Sequence, residues 1–223
     1  MYIVEGNIGA GKSTFLKVMS QLLPHAKVEL EPLASWDSRE HGGSLLENFI
    51  QDSHRWSYTM ETFAMMCRVR EHVHHQERNE PRLLLERSIY SGHYVFSLNG
   101  YRQGFMTQQE WIMYLHYFNY LIPSMCHAPH GFIYLKTDPK IAYARIQKRA
   151  RASEKMITQD YLEQLHERHE EFLIHKHGLM ADMRAVPVLV LDCNKEFEND
   201  EQYARLLSEQ VMAFMDQQAE KNR

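Results

Sequence analysis

The sequence predicts an α/β fold in which a five-stranded parallel sheet carries helices on both faces. Five short apolar runs, at residues 2–5, 27–30, 82–86, 132–135 and 188–191, have the length and near-continuous hydrophobicity of strands buried on both sides. Longer segments with apolar residues every three or four positions separate them, and strands alternating with helices imply parallel pairing. No repeat, low-complexity tract or Pro/Gly/Ser linker interrupts the 223 residues, so a single domain spanning 1–223 is expected.

The helical segments, in order, are 12–23, 55–76, 88–98, 108–122, 139–149, 159–175 and 200–217. The second shows its period through Tyr58, Thr62, Met65, Met66 and Val69. The fifth begins at Pro139, with Asp138 as its N-cap and the proline at the first helical position. In open parallel sheets ligands sit at the carboxyl ends of the strands. The chemistry is therefore expected just after Glu5, Leu30, Glu86, Leu135 and Leu191.

Composition narrows the function. Hydrophobic residues make up 44% and charged residues 24%, ordinary values that argue against disorder. The formal charge of −4 argues against a nucleic-acid polymer as partner. No apolar run approaches the ~20 residues that a membrane helix needs. The first residues lead straight into a glycine-rich loop, without the apolar core of a signal peptide. Cys67, Cys126 and Cys193 are odd in number and widely spaced, so no disulfide framework is expected, and a cytoplasmic location fits best. The histidine pairs His72/His75 and His166/His169 have helical spacing and are read as solvated faces rather than metal ligands.

Gly6-Asn7-Ile8-Gly9-Ala10-Gly11-Lys12-Ser13 matches G-x-x-x-x-G-K-[ST] in full, between a predicted strand and a predicted helix. The glycines allow backbone N–H groups to turn inward around phosphate oxygens. Lys12 adds a point charge on the β- and γ-phosphates, Ser13 a hydroxyl for Mg²⁺, and the helix N-terminus its partial positive charge. A nucleoside triphosphate is the expected ligand. A guanine-reading GTPase is disfavoured: Asn194-Lys195-Glu196-Phe197 puts Phe197 where N-K-x-D needs an aspartate, and no D-x-x-G segment follows a strand.

The stretch Glu5 to Thr14, which contains this loop, resembles the deoxynucleoside kinases, the group of deoxycytidine, deoxyguanosine and mitochondrial-type thymidine kinases and a broad-specificity insect enzyme. Further matches follow in order: Glu31-Pro32-Leu33-Ala34-Ser35-Trp36, the E-R-S motif Glu86-Arg87-Ser88, and a lid motif from Arg145 through Arg149 and Arg151 to Glu154. Residues 161–166 and Leu191-Asp192 continue the likeness. The resemblance implies a P-loop kinase with an arginine-rich lid at about 145–156. It implies transfer of the ATP γ-phosphoryl group to the 5′-hydroxyl of a deoxyribonucleoside, with Mg²⁺, in an enzyme commonly found as a homodimer. The aromatic- and Met-rich helices at 55–76 and 108–122 are the candidate interface.

Roles follow by the same resemblance. Glu31 is the general base, with Glu29 the weaker candidate, and Arg87 holds Glu31 and the 5′-oxygen in line. Glu86 holds Mg²⁺ through water, together with Ser13. Arg149 and Arg151 stabilise the transferring group, and Arg145 approaches the phosphates. Gly6, Asn7, Ile8, Gly9, Ala10, Gly11, Lys12, Ser13 and Thr14 cradle ATP, with Glu196 and Phe197 also on its side. Trp36, Phe49, Met60, Glu61, Arg68, Gly92 and Phe96 form the base pocket, and Glu154 accepts a hydrogen bond from the sugar 3′-hydroxyl.

Three positions depart from the family pattern: Glu61 replaces a glutamine that reads the base, Ile50 a tyrosine, and Gly92 an aspartate that normally pairs with the arginine kept here as Arg68. An ionised Glu61 can only accept hydrogen bonds. Guanine presents two adjacent donors, Arg68 can donate to guanine O6 or N7, and Gly92 leaves room for a purine. A purine deoxynucleoside, deoxyguanosine first, is the expected substrate. A Glu61–Arg68 ion pair that only shapes the pocket would leave a pyrimidine or broad-specificity kinase. A nucleoside monophosphate kinase is the second enzymatic reading, and it would need further cations for the substrate's own phosphate. A catalytically silent nucleotide-sensing subunit ranks last, because Glu31, Glu86, Arg149 and Arg151 are all in place.

Overall fold

The computed structural model describes residues 1–31, 44–78, 80–151, 154 and 156–221. Its five strands are β1 (Tyr2–Glu5), β2 (Lys27–Glu29), β3 (Leu83–Glu86), β4 (Gly131–Lys136) and β5 (Val188–Asp192). They form one sheet in the order β2-β3-β1-β4-β5, with every pairing parallel. The expected α/β architecture is present.

The sheet is covered by α1 (Lys12–Leu22), α2 (Leu45–Gln51), α3 (Ser53–Arg78), α4 (Ile89–Ser91), α5 (Leu98–Arg102), α6 (Gln108–Met125), α7 (Pro139–Arg149), α8 (Gln159–His169), α9 (Ala181–Ala185) and α10 (Glu201–Lys221). Every helix expected from periodicity is found, but two are interrupted. The run beginning at α4 passes through a π-helical turn, Gly92–Ser97, before α5, and α8 continues as a π-turn, Glu170–Ile174. Single-turn π segments often mark functional sites. The short helices α2 and α9 were not expected.

The inner strands β1, β3 and β4 are buried on both faces, as their composition requires, whereas the edge strands β2 and β5 are partly exposed. Ile3, Phe132 and Tyr134 face one core together with residues of α3, α6 and α8. Their neighbours Tyr2, Val4, Ile133 and Leu135 face the other, with residues of α1 and α10. This is the two-residue alternation of a strand, with both sets apolar. The three cysteines are free, and no helix among the described residues is long and apolar enough to cross a membrane.

The histidines correct one expectation: His72 and His169 are not solvated but buried. His72 donates from Nε2 to the His127 carbonyl (2.9 Å), and His169 from Nδ1 to the Leu165 carbonyl (2.7 Å). His93 is buried as well, stacked 3.8 Å from the Phe118 ring and parallel to Trp111, with Nδ1 unpartnered. No group of three or more His, Cys, Asp or Glu that could hold a metal occurs among the described residues.

Burial disfavours the charged imidazolium, holding His72 at about 4 and His93 and His169 at about 3. Unfolded, each would titrate near 6.5. Folded values below the unfolded one mean that this stabilisation is complete above pH 6.5 and is lost as pH falls toward 4. The loss from pH 7 to pH 5 is about 2 kcal/mol per histidine. Urea denaturation across that range should therefore show a steep acid decline, and His93→Phe, which keeps the ring stack, should flatten it measurably.

Candidate active site

The loop after β1 is shaped by three glycines with positive φ, Gly6 (154°), Gly9 (81°) and Gly11 (93°). At Gly9 the backbone also approaches α7 closely: a Cβ there would lie 2.4 Å from the Ala142 carbonyl oxygen. The loop and the helix carrying Arg145 and Arg149 are thus in direct backbone contact. Asn7 braces the loop from inside, donating to the Leu162 carbonyl (2.8 Å) and accepting from the Ile8 amide (2.8 Å). Gly11 caps α1 without a side-chain bond, which leaves the amides of the first turn to an anion. Ala10 is buried beneath the loop.

Lys12 is buried and curls back to donate to the carbonyls of Gly6 (3.1 Å) and Asn7 (2.9 Å). Burial first, then repulsion from Arg87, lowers it to about 7, against the pull of Glu86, Glu31 and Glu5. A phosphate placed in the loop would favour the charged form. Ser13, on the first turn of α1, donates to both oxygens of Glu86 (2.9 and 3.0 Å), so the loop and the end of β3 meet at these hard oxygen donors.

The ends of β2 and β3, together with α3, bring the acid and the arginines together. Glu31 accepts from Arg68 Nη2 at 2.7 Å through one oxygen and lies 3.4 Å from Arg87 Nε through the other. All three side chains are largely buried, at 9–13% exposure for the first pair and 7% for Arg87. Arg87 has φ 64°, a left-handed conformation that costs a non-glycine residue about 1–3 kcal/mol and concentrates at functional sites. Its amide is tied to the Val4 carbonyl (3.0 Å) and its guanidinium lies 4.6 Å over the Phe96 ring. Phe96 therefore supports Arg87. Glu29 instead joins an exposed network with Lys27 and Arg78. A cavity of about 230 Å³ opens onto Glu31, Arg68, Glu86 and Arg87.

Among the base-pocket candidates, Phe49 on α2 packs with Met60 on α3 in a small cluster of their own. Glu61 accepts a 2.6 Å bond from Ser97, whose hydroxyl also contacts Gly92 O and Tyr114 Oη. Burial raises the Glu61 carboxyl above its usual range, opposed by the Ser97 bond and by Arg68. Arg68 pairs with Glu31, and the space beside Gly92 is taken up: a Cβ at Gly92 would lie 2.8 Å from Arg68 Nη1. Trp36, together with Pro32 to Ser35, lies outside the described residues.

The lid residues are paired with each other. Arg149 makes a bidentate bond to Glu154 (2.6 and 3.0 Å), and Arg151 lies 3.8 Å from the same carboxylate. Arg145 donates weakly to the Ala10 carbonyl (3.5 Å) and to those of Asn194 and Lys195 (3.2 and 3.3 Å), clamping the loop that carries Glu196 and Phe197. Phe197 is buried against Gly11 and Phe15, while Glu196 accepts from the amides of Phe197 and Glu198.

Sequence reasoning gave no role to Ser97 or to Glu5 as a buried acid. Glu5 is fully buried, accepts from Ser88 (2.6 Å) and has its carboxyl raised by burial. A charge ending the otherwise apolar run Tyr2–Val4 was the available signal. Ser97 had none, because a π-turn sets its direction.

A triphosphate loop, an acid held between two arginines and a paired-arginine lid around a parallel sheet define a P-loop phosphotransferase. The deoxynucleoside kinase family model matches residues 2–216. The chain is 33% identical to chicken deoxycytidine kinase 2 over 95% of its length and 89% of that protein's. It is 34% identical to the mitochondrial deoxyguanosine kinase of Xenopus laevis, covering 95% and 88%, and 33% identical to human deoxycytidine kinase, covering 88% and 84%. The chain belongs to the deoxynucleoside kinase family: it is a kinase of deoxynucleosides with ATP as phosphate donor.

Gly9→Ala should combine left-handed strain with a clash against rigid backbone. It is expected to lower the melting temperature by about 5 °C or more and to weaken ATP binding, read by thermal melts and ATP titration.

Proposed function

We propose that the protein phosphorylates the 5′-hydroxyl of a purine deoxynucleoside, with deoxyguanosine ahead of deoxyadenosine. The observation that carries the chemistry is Glu31 held between Arg68 and Arg87 within the electrostatic reach of Lys12. The 5′-oxygen forms a bond to the γ-phosphorus as the β–γ bridging bond breaks, ADP leaves, and Glu31 takes the hydroxyl proton. Arg87 keeps Glu31 aligned, and Lys12 with the loop amides holds the phosphates. Arg149 and Arg151, released from Glu154, would face the transferring group, leaving Glu154 for the sugar 3′-hydroxyl. Such transfer relies on positioning and charge neutralisation. Mg²⁺ would be held by Ser13 and Glu86, whose hard oxygens suit it, and would neutralise phosphate charge.

The preference for guanine is supported by Glu61: in its ionised form, which burial opposes and Ser97 and Arg68 favour, the carboxylate accepts two adjacent donors. A pyrimidine is the second reading, favoured by the Arg68 guanidinium filling the space beside Gly92. Exposed Phe63 and Met66 on α3 and Ile112, Met113, Tyr117 and Tyr120 on α6 support a homodimer.

Glu31→Gln should retain ATP binding and lower kcat by about 10²–10⁴, the range of general-base catalysis. An unchanged kcat removes Glu31 from that role. A screen of the four deoxynucleosides with ATP and Mg²⁺ tests the base. Glu61→Gln should erode the deoxyguanosine preference by about 1–3 kcal/mol in kcat/KM. Thymidine or deoxycytidine ahead of deoxyguanosine in the wild-type enzyme refutes the purine reading.

A further inference from the structure

Glu61, Ser97 and Tyr114 come from three separate elements and meet at one hydroxyl. Glu61 stands on α3, Tyr114 on α6, and Ser97 ends the π-turn that lies between them in the chain. Ser97 and Tyr114 are both buried. Ser97 Oγ donates to Glu61 Oε2 at 2.6 Å, the shortest of its contacts; the Gly92 carbonyl lies at 2.9 Å and Tyr114 Oη at 3.1 Å. A hydroxyl carries one proton and two lone pairs, so the phenol can donate to Ser97 Oγ while Ser97 gives its proton to the carboxylate. Among the described residues Glu61 Oε1 makes no hydrogen bond. A π-turn takes one residue more than an α-helical turn, and one residue is about 100° of helix rotation. The extra residue in Gly92–Ser97 therefore sets the direction of the Ser97 hydroxyl.

We propose that Ser97, backed by Tyr114, is a specificity-determining residue for the nucleoside: it pins one oxygen of Glu61, so that the carboxylate meets the base in a single orientation with Oε1 left to accept from it. The inference rests on the reading that Glu61 meets the nucleobase. A glutamate side chain ends in a broad, weakly restrained torsion, and one charge-assisted bond of 2.6 Å is enough to fix its plane. Base edges differ in the order of their donors and acceptors. A carboxylate free to swing would turn toward whichever donor a base offers and would discriminate little. A pinned one rejects a base that sets a carbonyl or a ring nitrogen against it, because a buried polar group is then left unpaired. Burial raises the Glu61 carboxyl, and the Ser97 bond is the larger of the two influences that oppose it, ahead of Arg68, so the anchor also favours the form that only accepts. A strut that merely tied α3 to the π-turn would leave the ranking of bases unchanged, and this separates the two roles.

The test is kcat/KM for the four deoxynucleosides, with ATP and Mg²⁺, in wild type, Ser97→Ala, Ser97→Thr and Tyr114→Phe. Ser97→Ala should shrink the advantage of the preferred nucleoside over the others by about fivefold or more, while the KM for ATP stays near the wild-type value. Tyr114→Phe removes only the donor behind Ser97 and should move the same ratio in the same direction by a smaller factor. Ser97→Thr keeps the hydroxyl and should keep the ranking. In a Glu61→Ala background the acceptor is gone, so adding Ser97→Ala should change the ratio by less than about twofold. Thermal melts and ATP titration identify any variant that has lost its fold; if Ser97→Ala or the Glu61→Ala background is among them, Tyr114→Phe carries the test, and a ratio unmoved there overturns the proposal. A Ser97→Ala effect of full size in the Glu61→Ala background overturns it, and so do equal wild-type kcat/KM values for all four nucleosides. If Glu61→Gln leaves the ranking unchanged, the reading of Glu61 at the base falls and this proposal with it. If Glu61→Gln shifts the ranking and Ser97→Ala does not, only the role of Ser97 falls. A wild-type preference for a pyrimidine that collapses in Ser97→Ala supports the role of Ser97 while refuting the purine reading.

Discussion

Glu5, Lys12, Glu31, Arg68, Glu86 and Arg87 gather around the carboxyl ends of β1, β2 and β3, and burying them together constrains the site. An isolated charge in such a place is costly, and removing one partner of a buried pair typically destabilises by about 3–5 kcal/mol. The arrangement meets that cost by sharing. Glu31 serves two arginines, Glu86 receives the Ser13 hydroxyl, and Glu5 is held by Ser88. Burial still pushes Glu5 up and Lys12 down, each toward its neutral form. An arriving phosphate adds negative charge beside Lys12 and reverses that tendency there. The loop is therefore electrostatically matched to a phosphate anion.

The same logic explains the strain. Arg87 adopts a left-handed backbone that glycine would take without penalty. The amide bond to Val4 and the contacts of its guanidinium with Glu31 and the Phe96 ring hold it there. Glycine at this position would relieve the backbone but release Glu31 from one of its two anchors. Strain in the chain is thus offset by order at the acid.

Much of the fold was legible because its signals are local. The strands of a doubly covered sheet are short apolar runs, and the G-x-x-x-x-G-K-S loop reports its own conformation through glycine positions. Asp138-Pro139 marked the start of α7 to the residue. What failed was set by tertiary contact. Helix α2 is too short for periodicity to show, and the π-turn at Gly92–Ser97 leaves no mark in an apolar stretch, yet it directs Ser97 to Glu61. His72 and His169 have the spacing of a solvated stripe, but backbone carbonyls satisfy them inside the core.

The candidate site was legible as a set of residues but not as a set of pairs. Motif spacing brought Glu31, Arg68 and Arg87 to one region, while Arg68 was assigned to the base and Glu31 to the 5′-hydroxyl. The absence of a carboxylate at Gly92 changes that division. Among the described residues the guanidinium donates to Glu31, at 2.7 Å. Arg68, expected at the base, and Glu31, expected at the 5′-hydroxyl, are joined directly by one hydrogen bond.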